Sequence, residues 1–227
     1  MYYPFLLYSP AVRHCPVFDG LEGDPYVADL SPASPLLAGL SPRDQKGFQA
    51  VLDNAMARGH HSWGVAPYLE RRDTLLADCP QMVAEARFIH LGLDVIVPLG
   101  TPLHAPLDAV VEATGYEAGE GNYGGHVLLK HAGPHFETFY SFYGHLCKSR
   151  LPETGAPFSA GDTFAEIGDF HENGNWFYHT HIQVITAAGL AAGYMTKGYC
   201  AEKDLPRMNA LCPSSIPLFK TGPPAIE

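Results

Sequence analysis

The chain has 227 residues, with 14 lysines and arginines against 24 aspartates and glutamates, for a formal net charge of -10. Its 46% hydrophobic content is ample for a core and excludes disorder of the whole chain. The acidic balance supplies no basic stripe for a phosphate backbone and no attraction to anionic membranes or wall polymers.

In chain order, residues 1–40 are rich in proline, serine and glycine and read as an irregular extension. The opening MYYPFLLYSPAV has no basic residue ahead of its apolar stretch, and Pro4 and Pro10 interrupt it, so no export leader is expected and cytoplasmic residence is the expectation. No run reaches the ~18 apolar residues a membrane helix requires. A helix follows, with Ser41 as N-cap and Pro42 at its first position. Phe48, Val51, Leu52 and Met56 recur at three- and four-residue spacing up to Gly59. A strand over residues 63–68 and a short helix over 71–77 lead into residues 88–97, an apolar, β-branched stretch closed by Pro98 and Gly100 that reads as one strand. Further strands are expected around Val127, in FYSFYGHL and in YHTHIQVI. After Gly189 the tail is loop-rich, with a helix over 202–211. Twenty prolines and 23 glycines beside 12 tyrosines and 12 phenylalanines suit short strands and turns, so the expected core is mainly β.

Three strings carry chemistry: HLGLD with His90 and Asp94, YGHL with His145, and HTH with His179 and His181. A hydrolytic zinc ion takes imidazole nitrogen and carboxylate oxygen from three protein groups and leaves a position for water, a demand that His90, Asp94 and His181 fit. His145 and His179 are spare imidazoles able to accept a proton or steady an oxyanion. On strands, positions two or four apart share a face, so each pair can point into one cleft, and Gly92 lets the backbone bend or approach a ligand closely. His60 and His61 read as residues of a polar turn, His126, His131 and His135 as hairpin residues, His104 as structural, and His171 as a residue of the cleft rim. Tyr123, Tyr143, Trp176 and Tyr178 are candidates for cleft walls or core. The five cysteines are odd in number and form no CxxC pair, which indicates reduced thiols; Cys147, two positions after His145, reads as packing.

These strings, with HLGLDVIVPLGTPLHAPLDAVV, GNYGGHVLLKH and SAGDTFAEIGDF between and around them, resemble the M23 family of metallopeptidases, the lysostaphin-like or LytM-type endopeptidases. The resemblance covers about residues 85–190. It implies an antiparallel β-sheet catalytic core of the lysostaphin-like type over 85–190, with a partly helical extension over 1–84 and a loop-rich tail over 191–227. It further implies Zn²⁺ held by His90, Asp94 and His181, catalytic histidines at His145 and His179, and hydrolysis of an amide bond in peptidoglycan-type cross-links or a related small peptide. Neither a nucleic-acid partner nor a membrane span is expected, and nothing in the sequence specifies an oligomeric state.

The sequence departs from the family pattern at Thr180, where the usual residue is apolar, and at Gln183, where many members carry glutamate. Ala84 stands six residues before His90, where some members place an oxyanion-stabilising tyrosine, so that role is unassigned. Two other readings of the same residues stand beside the peptidase. One is a non-catalytic or occluded metal- or ligand-binding module, with the extension over the cleft. The other is a metal-dependent amidase acting on a small substrate outside the wall.

Overall fold

The structure, a computed structural model, describes residues 1–41 and 43–219. The chain begins irregularly, then forms β1 (Tyr26–Val27), helix α1 (Gln45–Arg58) and β2 (Gly64–Ala66). β1 and β2 pair in parallel, and α1 is the crossover that a parallel pair requires. The sheet is therefore not antiparallel throughout, because the extension contributes this strand–helix–strand unit to it. Phe48 and Leu52 of α1 are buried, as their spacing predicts. The helix starts later than expected, for Asp44 caps it by accepting from the Gly47 N–H at 2.9 Å. The position expected for Pro42 lies outside the described residues.

β2 is shorter than the strand expected over 63–68, ending just before Pro67, which has no N–H for a ladder. The helix expected over 71–77 does not form: residues 73–78 are turns, and helix α2 (Pro80–Ala84) begins only at Pro80. Proline restricts the residue before it to extended backbone, here Cys79, and so separates the turns from the helix.

β3 (Arg87–His90) and β4 (Leu93–Ile96) replace the single strand read over 88–97. The chain bends at Leu91 and Gly92. Then come β5 (Pro102–His104), β6 (Ala109–Glu117), β7 (Gly124–Gly133), β8 (Phe136–Leu146), β9 (Pro157–Phe158), β10 (Thr163–Glu166), β11 (Thr180–Thr186), helix α3 (Ala187–Ala191), β12 (Tyr199–Ala201) and helices α4 (Leu205–Leu211) and α5 (Ile216–Phe219). The main sheet runs β1-β2-β4-β11-β8-β7-β6-β9, antiparallel at every pairing beyond β1–β2, while β3 pairs with β12 and β5 with β10. The fold is mainly β with an antiparallel-rich sheet.

Both faces of this sheet are covered, and the alternation of β-strands sorts its side chains. Val95, Val127, Leu129, Tyr143, Ile182 and Val184 pack into one core, joined from the extension by Tyr3, Leu6, Val17 and Phe18 and from the tail by Leu218. The opposite face carries two smaller clusters. Ile96 packs with Phe48, Leu52, Trp176 and Phe177 in one, and Phe142 and Ile185 pack with Met208 and Leu211 in the other. Asp94 and His181 emerge on this second face, between the two clusters. No described helix is long and apolar enough to cross a membrane.

Candidate metal centre

Register places the first two donors. β4 and β11 are antiparallel neighbours with Asp94 directly opposite His181, so both side chains project from the same side of the sheet. His90 arrives from elsewhere: it ends β3, opposite Tyr199 of β12, and the bend at Gly92 folds it back over Asp94. A Cβ at Gly92 would fall on the His181 ring. Glycine is therefore required at this bend by close approach, its own φ being unremarkable.

The three donor atoms face one another. His90 Nε2 lies 2.9 Å from His181 Nδ1 and 3.1 Å from Asp94 Oδ1, and His181 Nδ1 lies 3.1 Å from the same oxygen. The far side of each ring decides where its proton sits. His90 Nδ1 is 2.9 Å from the Pro67 carbonyl, which can only accept, so that nitrogen carries the proton and Nε2 is bare. The Gln183 amide donates to the Tyr194 and Lys197 carbonyls at 3.3 Å, which turns its Oε1 to His181 Nε2 at 2.9 Å and strips the proton from Nδ1. Burial pushes the His90 imidazole down to about 4. Burial alone would raise the Asp94 carboxyl, but the electrostatics of His90 and Arg72 overcome it and hold the group well below the usual carboxylate range.

The hydrogen bonds on the far side of each ring thus turn two imidazole lone pairs toward one carboxylate oxygen. Such an arrangement repels itself unless a cation sits at its centre. The separations fit one, since ligand atoms ~2.0–2.1 Å from a tetrahedral zinc ion lie roughly 3.3 Å apart. All three residues are buried, and their donor atoms meet the spacing of a metal site. A carboxylate oxygen with two imidazoles suits a divalent transition-metal ion, zinc among them.

The two remaining histidines stand alongside. His145 and His179 have ring centroids 4.3 Å apart, and His179 Nε2 is 3.8 Å from Asp94 Oδ1. Each donates its Nδ1–H to a backbone carbonyl, His145 to Asn173 at 2.6 Å and His179 to Phe177 at 2.8 Å, leaving Nε2 as a base. Burial, and for His145 the neighbouring His179, lowers both, His179 to about 4. Both rings are neutral at physiological pH. His145 also has φ of +66° near the end of β8. A non-glycine residue in the left-handed region is strained by about 1–3 kcal/mol, a cost found at sites where a side chain must be aimed.

A cavity of about 260 Å³ opens onto these groups. Several residues that the sequence did not single out line it. Arg72, 2% exposed, donates from Nη1 to Asp94 Oδ2 at 2.7 Å and from Nε to Glu70 Oε2 at 2.8 Å, fixing the carboxylate from the side away from the imidazoles. The Tyr199 hydroxyl is 3.3 Å from the same Nη1. The Tyr123 hydroxyl is buried without a partner, and burial raises it well above 10, so it remains a donor. Tyr123 stood among the aromatic candidates, but Arg72 lies in ERRD, a string with no signal of its own. Thr180 donates to the Gly144 carbonyl at 2.9 Å and so ties β11 to β8.

The other histidines are elsewhere. His131 is held between Ser141 and the Asp108 carbonyl, His104 pairs with Asp19, and His171 is exposed and lines no part of the cavity.

Residues 88–190 match peptidase family M23. The peptidoglycan DD-endopeptidase ShyC of Vibrio cholerae serotype O1 is 37% identical over 79 residues, 35% of this chain and 16% of that protein. An uncharacterized metalloprotease of Haemophilus influenzae is 39% identical over 80 residues, 35% of this chain and 15% of that one. The match therefore spans about a sixth of the length of these relatives. Among solved structures, the antimicrobial peptidase lysostaphin from Staphylococcus simulans superposes with a TM-score of 0.35 at 18% identity, over 61% of this chain and 49% of that one. The segment that matches peptidase family M23, residues 88–190 and a little under half of the chain, is the one that supplies the three facing donors and both neighbouring imidazoles.

Proposed function

We propose that the protein is a zinc-dependent metalloendopeptidase that hydrolyses an amide bond in peptidoglycan-type cross-links or a related small peptide. The observation that carries this reading is the convergence of His90 Nε2, Asp94 Oδ1 and His181 Nδ1 within 3.1 Å of one another. The family match and the peptidoglycan endopeptidase among the relatives support it. In this reading, His90, Asp94 and His181 hold zinc, which when bound polarises the scissile carbonyl and acidifies water.

The chain's own groups do the rest. His145 and His179 present bare Nε2 atoms from rings whose Nδ1–H groups are anchored to carbonyls, so either ring can take a proton from water without turning. The imidazolium so formed then donates to the leaving amine. The Tyr123 hydroxyl, buried and unpartnered, is the donor available to the oxyanion that the sequence left unassigned. Arg72 keeps Asp94 oriented and ionised.

His145→Ala separates binding from turnover. It should retain one zinc per chain by elemental analysis while hydrolysis of sacculi or a mixed peptide library falls by ~10²–10⁴-fold, whereas His181→Ala should lose the metal itself. Unchanged turnover in the first variant would remove His145 from the mechanism.

A further inference from the structure

Among the described residues, seven buried side-chain polar atoms have no hydrogen-bond partner, and four of them belong to residues lining the one cavity beside the metal donors: Arg72 Nη2, Arg87 Nε, Arg87 Nη1 and Tyr123 Oη. Buried donors left unmade cost about 1–3 kcal/mol each, more when charged, so a cluster of them around a single space marks a place where a ligand supplies acceptors.

The two arginines do not serve each other or the walls fully. Arg72 spends Nε on Glu70 and Nη1 on Asp94, which leaves Nη2 over. Arg87 is 8% exposed. Its Nε lies 3.0 Å from Glu85 Oε2, a half-exposed carboxylate, without hydrogen-bond alignment, and Nη1 has no partner at all. Glu117, the other acidic residue on the cavity wall, forms no ion pair with either guanidinium.

We propose that this cavity binds a small peptide through a free carboxylate adjacent to the scissile amide, with Arg87 and Arg72 Nη2 as the receiving groups. A guanidinium fork matches a carboxylate with two parallel N–H bonds, which a neutral amide cannot return. Tyr123 then remains for the scissile carbonyl. Size points the same way: a cavity of about 260 Å³ lies just below the usual small-ligand range of ~300–1,000 Å³. Its walls extend beyond the segment shared with the family, for Arg72, Leu75, Met82 and Arg87 precede residue 88 and Thr196 and Tyr199 follow residue 190. Elements outside the family match thus narrow the site and supply its cationic end.

The proposal names the substrate class of the peptidase reading and rests on it. The test titrates the zinc-loaded full chain with N-acetyl-alanyl-alanine and with its C-terminal carboxamide, in D and L forms, by calorimetry, and follows cleavage of the same peptides by mass spectrometry. The carboxylate form should bind about ten-fold or more tightly than the carboxamide. Arg87→Gln should bring the two within about two-fold while zinc content stays the same, and Arg87→Lys should restore part of the difference. Equal binding of the two peptides to the parent chain, or binding of neither at millimolar concentration, overturns the proposal, and this comparison stands even if the Gln variant does not fold. Discrimination without cleavage of these peptides, or of sacculi in the same assay, would instead overturn the peptidase reading and leave the carboxylate site in place; cleavage without discrimination would do the reverse.

Discussion

At Gly92 one hydrogen in place of a methyl group decides whether three donors can meet. A Cβ there would collide with the His181 ring, whose other side is held by Gln183, so Gly92→Ala must displace either the ring or the bend that brings His90 over Asp94. Zinc affinity measured by chelator competition should fall by about ten-fold or more, because a ligand misplaced by a few tenths of an ångström no longer meets a tetrahedral ion. Unaltered affinity would show that the ring has room to yield. His131 bears on a different property. It is wholly buried between Ser141 and the Asp108 carbonyl, and burial pushes its imidazole down to about 4. An unfolded histidine titrates near 6.5, so as the pH falls the unfolded chain takes up a proton that the folded chain refuses. The stability due to this difference is complete above pH ~6.5 and is lost between ~6.5 and ~4, amounting to about 3 kcal/mol. In urea unfolding, His131→Asn should flatten the decline across that window relative to the parent chain; an equal decline would assign it to other groups.

Helix α1 acts on the site without touching the donors. Phe48 packs on Phe177 with ring centroids 4.9 Å apart, and Phe177 stacks on His179 at 4.2 Å. From the next position Gln49 Oε1 accepts the Tyr178 N–H at 2.6 Å. One turn of the helix therefore holds the backbone that leads into HTH. Phe48→Ala should cost about 3–5 kcal/mol of stability by denaturant unfolding, as for other buried phenylalanines, and should lower turnover more than it lowers zinc affinity, since the loop it supports carries His179 and not a zinc donor. Equal losses in both would place the effect in the sheet as a whole. The stripe of α1 was legible from its apolar spacing. Its target was not, because periodicity names the buried face of a helix and says nothing of the surface it meets. The turns at 73–78 were misread as helix for a related reason: local propensity is a weak guide where Arg72 is drawn inward to Glu70 and Asp94.

The whole chain is organised around a sheet buried on both faces, with the donors set on one of them between two apolar clusters. A cation held by the three facing groups would add to the folded state's stability, since an ion bound by the native donors and not by the unfolded chain shifts the folding equilibrium. At zinc a hundred-fold above its dissociation constant, the gain is about 2.7 kcal/mol, or roughly 5 to 10 °C in melting temperature for a chain of this size. Scanning calorimetry of the chelator-stripped protein with and without added zinc should show that rise, and His181→Ala should abolish it. A melting temperature indifferent to zinc in the parent chain would mean that the three groups do not bind the ion.

Much of the cluster that the structure brings together could be read before any fold was known, because metal chemistry restricts the residue types and strand parity restricts their spacing: His90, Asp94 and His181, with His145 and His179 beside them, stand out in HLGLD, YGHL and HTH. The mainly β character followed from turn residues and β-branched runs. Only the tertiary structure showed that HLGLD is two strands in two sheets, that Asp94 faces His181 across a register, and that carbonyls and Gln183 set the tautomers. The inward arginines also required it. Arg72 and Arg87 look like surface charges in a one-dimensional string, and what makes them otherwise is burial in the wall of one cavity, with Arg72 donating to Asp94, 22 positions on, an outcome of packing that no local pattern encodes.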